Sequence, residues 1–217
     1  ATATPALQAA VAATDSIPIL GTAVTEYGVA LDIENFSGTV GGNVSGTSDL
    51  ADLSAQAAMI TEWFPETKKV GLLFCSAEPN SRYQIEEVAK YLADKGIESK
   101  EFAFTDTNDV TAVTQAAADY ADVIYIPTDN TAAANTEAIA NVLVPAKVPA
   151  ICGEEGICSG CGVATLSISY YDLGVTTGKM AAKILTGEAD ISTMPIEYTD
   201  ATPKYNPTIC EELGIQP

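Results

Sequence analysis

An α/β fold built on parallel sheet is predicted by three observations. The stretches Lys69–Cys75 (KVGLLFC) and Ala121–Pro127 (ADVIYIP) are continuous apolar runs. Parallel strands look like this because helices cover both of their faces. Amphipathic segments lie between such runs. In 79–95, Ile85, Val88, Ala89 and Leu92 fall at i, i+3, i+4 and i+7, and Gly96 follows as a stop signal. Finally, 47% of the 217 residues are hydrophobic and the mean hydropathy is +0.15, enough apolar material for a packed core.

Along the chain, residues 4–14 read as a helix with Thr4 as N-cap and Pro5 in its first position. Ile17–Leu20 reads as a short strand. Gly38–Thr47 is Gly-rich and polar, and is expected to be a linker between lobes. A helix is expected over 52–64, stopped by Pro65. Strand 69–75, helix 79–95, strand 101–104, helix 109–119 and strand 121–127 follow. A helix over 131–142 and strands at 148–152 and 163–168 continue the alternation. Gly156–Gly162, which contains Cys158 and Cys161, reads as a loop. A helix at 171–185, short strands at 196–198 and 204–205, and a closing helix at 207–213 complete the chain. The opening Ala1-Thr2-Ala3-Thr4-Pro5 looks like the end of a strand, and an N-terminal portion is expected to precede it.

Ten Lys+Arg against 29 Asp+Glu give a formal charge of -19. Nucleic acid is a poor partner for that surface, because phosphate binding relies on basic residues. The absence of histidine removes Ser-His, Cys-His and His-metal chemistry together. No apolar run reaches the roughly 18 residues of a membrane span. The five cysteines form no complete disulfide framework, and the lone Cys158-x-x-Cys161 lacks the second pair that a zinc site would use. No metal and no cofactor is expected.

In parallel α/β sheets, ligands bind beyond the carboxyl ends of the strands. The residues there are Ser76-Ala-Glu78-Pro-Asn80-Ser81, Thr128-Asp129-Asn130-Thr131 and Gly153-Glu154-Glu155-Gly156, with Thr4 and Thr22–Thr25 near the chain start. Helix N-termini such as those at Thr4 and Asn80/Ser81 can hold a carboxylate. Asp129 or Glu154 can hold an ammonium. Together these suit an α-amino acid. Taken singly, each of them is equally readable as a plain helix cap.

Several stretches together resemble the ABC-transporter substrate-binding proteins of the tryptophan/tyrosine-binding type. They are ATPALQAA, GGNVSGTSDL, KVGLLF followed by SAEPNS, ADVIYIPTDNT, VPAICGEEG, SYYDLGVTTGKMAAKILTGE and NPTICEELGI. The resemblance implies a type I periplasmic-binding fold, with two Rossmann-like lobes closing on a ligand in the cleft between them. It places residues 1–47 and 168–217 in a first lobe that is incomplete at its N-terminus, and 48–167 in the second. It implies ligand contacts at Thr4, Asn80, Ser81, Asp129, Asn130 and Glu154, with Thr25 and Tyr170 as further positions, and Asp129 as the ammonium partner. Tyr27, Tyr83, Tyr170 and Tyr171 are candidates to line an aromatic slot. The implied protein is not an enzyme. It is exported, cell-surface lipid-anchored or periplasmic, and delivers an aromatic amino acid to a membrane permease. An incomplete first lobe would leave its sheet open to pairing with a second chain. Two rivals stand beside this expectation: a ligand-sensing domain of a receptor or transcription regulator with the same fold, and an enzyme built on Cys158/Cys161 or paired carboxylates.

Overall fold

The computed structural model describes residues 1–217 and resolves into two units, one of residues 1–50 and 168–200 and the other of 51–167 and 201–217. The smaller unit starts with α1 (Thr4–Ala13), β1 (Ile19–Val24), α2 (Tyr27–Leu31) and β2 (Val44–Ser48). β1 and β2 pair in parallel, and single bridges join Thr2 to Thr22 and Thr47 to Glu197. Leu7, Ile19, Val24, Tyr27, Ala30, Val44 and Ile196 form its core.

The larger unit continues with α3 (Leu53–Trp63), β3 (Lys69–Cys75), α4 (Pro79–Asp94), β4 (Glu98–Phe104), α5 (Val110–Ala118) and β5 (Val123–Ile126). Then come α6 (Asn130–Ala133), α7 (Thr136–Ala146), β6 (Ala150–Cys152), α8 (Glu155–Cys161) and β7 (Ala164–Ile168). After α9 (Tyr170–Leu185), which returns to the smaller unit, β8 (Ala201–Tyr205) and α10 (Pro207–Leu213) close the larger one. Its six strands lie in the order β4-β3-β5-β6-β7-β8, and the four neighbouring pairs from β4 to β7 are parallel.

Successive residues of a strand point to opposite faces, so a sheet buried on both sides needs apolar residues at every position. Leu73, Ile124, Ile126, Ala150 and Cys152 point to one side, under Val110, Ile139, Leu143, Ile157, Cys158 and Cys161. Val70, Leu72, Phe74, Val123, Tyr125 and Ile151 point to the other, under Ala57, Ile60, Ile85, Val88, Leu92 and Ile209. Trp63 packs at the margin of this second cluster as a core residue.

The structure departs from the sequence-based expectation in the following places, and the strand expected at 196–198 is reduced to a single bridge at Glu197. The N-cap of α1 is Ala3, at φ 67°, and Thr4 is the first helical residue. The chain before it is tied to β1 through Ala3 N–H to Thr22 O (3.0 Å) and Thr22 N–H to Ala1 O (2.8 Å), so the turn into the helix falls on Ala3. The expected linker 38–47 contains most of β2, which is buried at all five positions. The expected helix over 131–142 is two helices, divided at Asn135. The expected loop 156–162 is α8, which buries Ile157, Cys158 and Cys161. Residues 201–217 belong to the larger unit, where Ile209 and Cys210 of α10 enter the second cluster.

Candidate ligand site at the carboxyl edge of the six-stranded sheet

β3, β5 and β6 are neighbours, and the segments after them meet in one hydrogen-bonded network. Asp129 is 2% exposed. Its Oδ2 accepts from the Cys75 amide (2.7 Å) and the Ser81 hydroxyl (2.8 Å), and its Oδ1 caps α6 through the Ala132 amide (2.7 Å). One carboxylate thus ties the end of β3, the start of α4 and the start of α6 together. Burial first and the neighbouring charge of Glu78 second push its carboxyl up to about 6.

Asn80 is buried and donates through Nδ2 to Glu78 Oε2 (3.2 Å), Ser81 Oγ (3.4 Å) and Thr128 O (3.2 Å). Its Oδ1 is buried without a partner. Gln84 clamps the same turn: its Oε1 accepts from Thr128 N (2.9 Å), and its Nε2 donates to Thr128 O (3.0 Å) and Asn80 O (3.0 Å). Asn130 donates to Glu78 from both its amide and its side chain.

Glu154 stands at the next strand end. It caps α8 by accepting from the amides of Gly156 (2.6 Å) and Ile157. The adjoining Gly153 carbonyl accepts from Gln56 Nε2 (2.9 Å), and Gln56 also donates to Leu166 O (2.8 Å) and accepts from the Tyr125 hydroxyl (2.7 Å). A Cβ at Gly153 would lie 2.5 Å from the Thr128 backbone nitrogen, so the two strand ends pack against each other only with glycine there.

Among the sequence-selected residues, the fold therefore joins Asn80, Ser81, Asp129 and Asn130 directly, with Glu154 at the adjoining strand end. Thr4, Thr25 and Tyr170 belong to the smaller unit. There Thr4 is buried at the start of α1. Thr25 is buried after β1, its carbonyl accepting from Ser48 Oγ (2.7 Å). Tyr170 begins α9 at 40% exposed and donates to Asp49 Oδ2 (3.2 Å). Of the tyrosines considered for an aromatic slot, Tyr27 is a core residue whose hydroxyl donates to Thr47 O, while Tyr171 is exposed.

Gln84 and Gln56 were not among the selected residues, and Glu78 entered only as part of the strand-end segment, with no ligand contact assigned to it. The signal for the two glutamines is a polar residue on the buried face of a helix, Gln84 beside Ile85 and Gln56 beside Ala57. No such pattern marks Glu78, which sits where a helix cap is ordinary.

The chemistry of the edge is one-sided. The first-turn amides of α6 and α8 are taken by Glu78, Asp129 and Glu154, with the Ser167 hydroxyl accepting from the Glu155 amide, so a ligand carboxylate finds no free donors at these helix starts. None of the three carboxylates has a Lys or Arg partner; the ion pairs are Arg82–Glu101, Lys90–Glu87 and Lys204–Glu155. The five cysteines are all buried and free, and no cluster suited to a metal ion is present.

In parallel α/β folds the carboxyl ends of the strands are where small ligands bind, and the polar network lies there. The chain as a whole, residues 1–217, matches the family model described as ABC transporter substrate binding protein, and it belongs to that family. It is 32% identical over 205 residues to a tyrosine-binding protein of Clostridioides difficile, a match that covers 93% of this chain but only 58% of the relative. Among solved structures, an ABC domain in complex with L-Trp from Streptococcus pneumonia matches with a TM-score of 0.92 at 31% identity, over 99% of this chain and 72% of that one. A conserved domain protein from Vibrio cholerae matches equally well, with a TM-score of 0.92 at 32% identity, over 99% and 72%. More distant sugar-type binders, such as a Caulobacter myo-inositol binding protein at 16% identity and a TM-score of 0.60, share the type I periplasmic-binding fold.

Proposed function

We propose that this chain is the ligand-binding part of a solute-binding protein of an ABC importer, and that its ligand is an aromatic amino acid. Such a component works outside the cytoplasmic membrane and hands its ligand to a permease without transforming it. No helix is long and apolar enough to cross a membrane. The relatives' ligands, tyrosine and L-Trp, support the aromatic side chain.

The observation that carries the reading is the polarity of the strand-end network. Asp129 and Glu154 are carboxylates without a cation, and Asn80 Oδ1 is a buried acceptor without a donor. A buried acceptor left unpaired costs about 1–3 kcal/mol. An ammonium group supplies both charge and N–H donors. The larger unit accordingly reads the amino end of the ligand through Asp129, Asn80, Asn130 and Glu154, with Ser81 holding Asp129 in place. Thr4, Thr25 and Tyr170 are the proposed contacts of the smaller unit.

A thermal-shift screen of the twenty amino acids tests this. A ligand that binds only the folded state raises Tm, by mass action, in step with its concentration. L-tyrosine, L-tryptophan or L-phenylalanine should do so, and the corresponding amines should retain part of the effect. A flat response to all twenty would refute the amino-acid assignment.

A further inference from the structure

Glu78 occupies the N-cap position of α4, yet its side chain makes no cap bond to that helix. The carboxylate turns instead to the neighbouring strand end. Oε1 accepts from the amide and the hydroxyl of Thr131, both at 2.8 Å. Oε2 accepts from the amide (3.0 Å) and Nδ2 (2.7 Å) of Asn130, and from Nδ2 of Asn80 (3.2 Å). A carboxylate offers about four lone-pair sites. Five donors therefore leave Glu78, at 7% exposed, with no capacity for a ligand.

What four of those five bonds hold is a helix of four residues, α6; the fifth comes from Asn80 on α4. A single turn does not sustain itself, because nucleation fixes several dihedrals for each bond gained. The amides of Asn130, Thr131 and Ala132 have no partner within α6. Glu78 takes the first two and Asp129 the third. The negative charge also lies where the helix dipole favours it. Bonds from Asn130 and Thr131 outweigh the opposing effect of burial and hold the Glu78 carboxyl below its usual range, so it stays ionised.

We infer that Glu78 is a positioning residue, which locks the Asp129–Thr131 junction onto the start of α4 and thereby fixes how Asp129 and Asn130 meet the ligand. The inference rests on the amino-acid reading of this edge for its ligand half only. The locking half stands on the geometry alone.

Two measurements on the full chain separate the halves. Residue-resolved amide exchange reports locking, and titration with L-tyrosine reports binding. In Glu78→Ala the Asn130 and Thr131 amides should exchange at least about tenfold faster, the equivalent of one lost buried hydrogen bond, while the β3 amides keep their rates. The Kd for L-tyrosine should rise by at least about tenfold. Glu78→Gln keeps one oxygen and presents an NH2 group in place of the other. One of the two amides should then keep its protection, and the Kd should fall between the other two proteins. A general loss of stability would speed exchange everywhere and would not split Asn130 from Thr131. Unchanged exchange at both residues in both variants would overturn the locking. Faster exchange with a wild-type Kd would overturn the link to binding. If the unsubstituted protein binds no amino acid, the function proposed above fails, while the exchange data still decide the locking.

Discussion

Asp129→Ala and Asp129→Asn should differ sharply in stability, although both remove the same buried charge. In the native protein the carboxylate serves two buried amides, Cys75 and Ala132, and the Ser81 hydroxyl. The hydroxyl can rotate toward another acceptor, but the amides cannot. Alanine leaves both amides unpaired. Asparagine leaves only one: with its oxygen toward Ala132 it keeps the cap and orphans Cys75, and with its oxygen toward Cys75 it does the reverse. The charge effect cancels between the two variants, so their difference isolates one buried amide, about 1–3 kcal/mol. Asp129→Ala also opens a small void, which adds to the same side. Urea unfolding at neutral pH, with equal m-values, measures the difference. If the two variants unfold within roughly 0.5 kcal/mol of each other, Asp129 is not the tie described here.

The pH dependence of the same pair carries a definite sign. Because the Asp129 carboxyl is raised from 3.8 to about 6, its stabilising contribution is complete below the lower value and is lost as pH rises through the upper one. The stability of the unsubstituted protein relative to Asp129→Asn should therefore fall between about pH 4 and pH 7, by roughly 1.4 kcal/mol for each pH unit that separates the two values; a rising difference would contradict the assignment. Gly46→Ala should cost about 2–4 kcal/mol in urea unfolding, because φ is 150° and the new Cβ would lie 2.2 Å from Gly21 O. Gly42→Ala, at φ 59° with open space around it, should cost only about 1–2 kcal/mol, and equal losses would remove the packing argument. All five thiols should react with a thiol reagent only after unfolding, since all are buried. Replacing Cys158 and Cys161 with alanine should leave the Kd for L-tyrosine within about twofold; a large loss would return those residues to the functional site.

The larger unit was legible because its central strands β3 and β5 are almost continuous apolar runs. KVGLLFC and DVIYI can only be strands covered on both sides, and the helix between them shows its buried stripe openly. β2 was hidden because its sequence, Val-Ser-Gly-Thr-Ser, is polar and yet wholly buried. Its hydroxyls are satisfied at long range: Ser45 by Met194 O (3.1 Å), Thr47 by the Thr177 hydroxyl (2.8 Å) and Ser48 by Thr25 O (2.7 Å). No local pattern announces such partners. α8 was hidden for a related reason, since two glycines and two cysteines mask the spacing of Ile157, Cys158 and Cys161.

At the candidate site, the rule that strand ends hold ligands brought out Asn80, Ser81, Asp129, Asn130 and Glu154, and the fold gathers four of them into one network with Glu154 at the next strand end. What the rule cannot supply is the direction of each bond. In sequence Asp129 and Glu154 are readable either as ligand groups or as helix caps, and the structure shows which amides each one caps. The role of Glu78 depends on the N-terminal ends of α4 and α6 meeting, about fifty residues apart in the chain, and is invisible to any local reading.

Backbone amide chemical shifts during titration with L-tyrosine test the central claim most directly. The account predicts saturable shifts at Asn80, Thr128–Thr131 and Gly153–Glu154, with the opposite end of the six-stranded sheet, around Thr67 and Lys147, unmoved. Saturable binding whose shifts gather at that opposite end, or no shift at any attainable concentration, would contradict it.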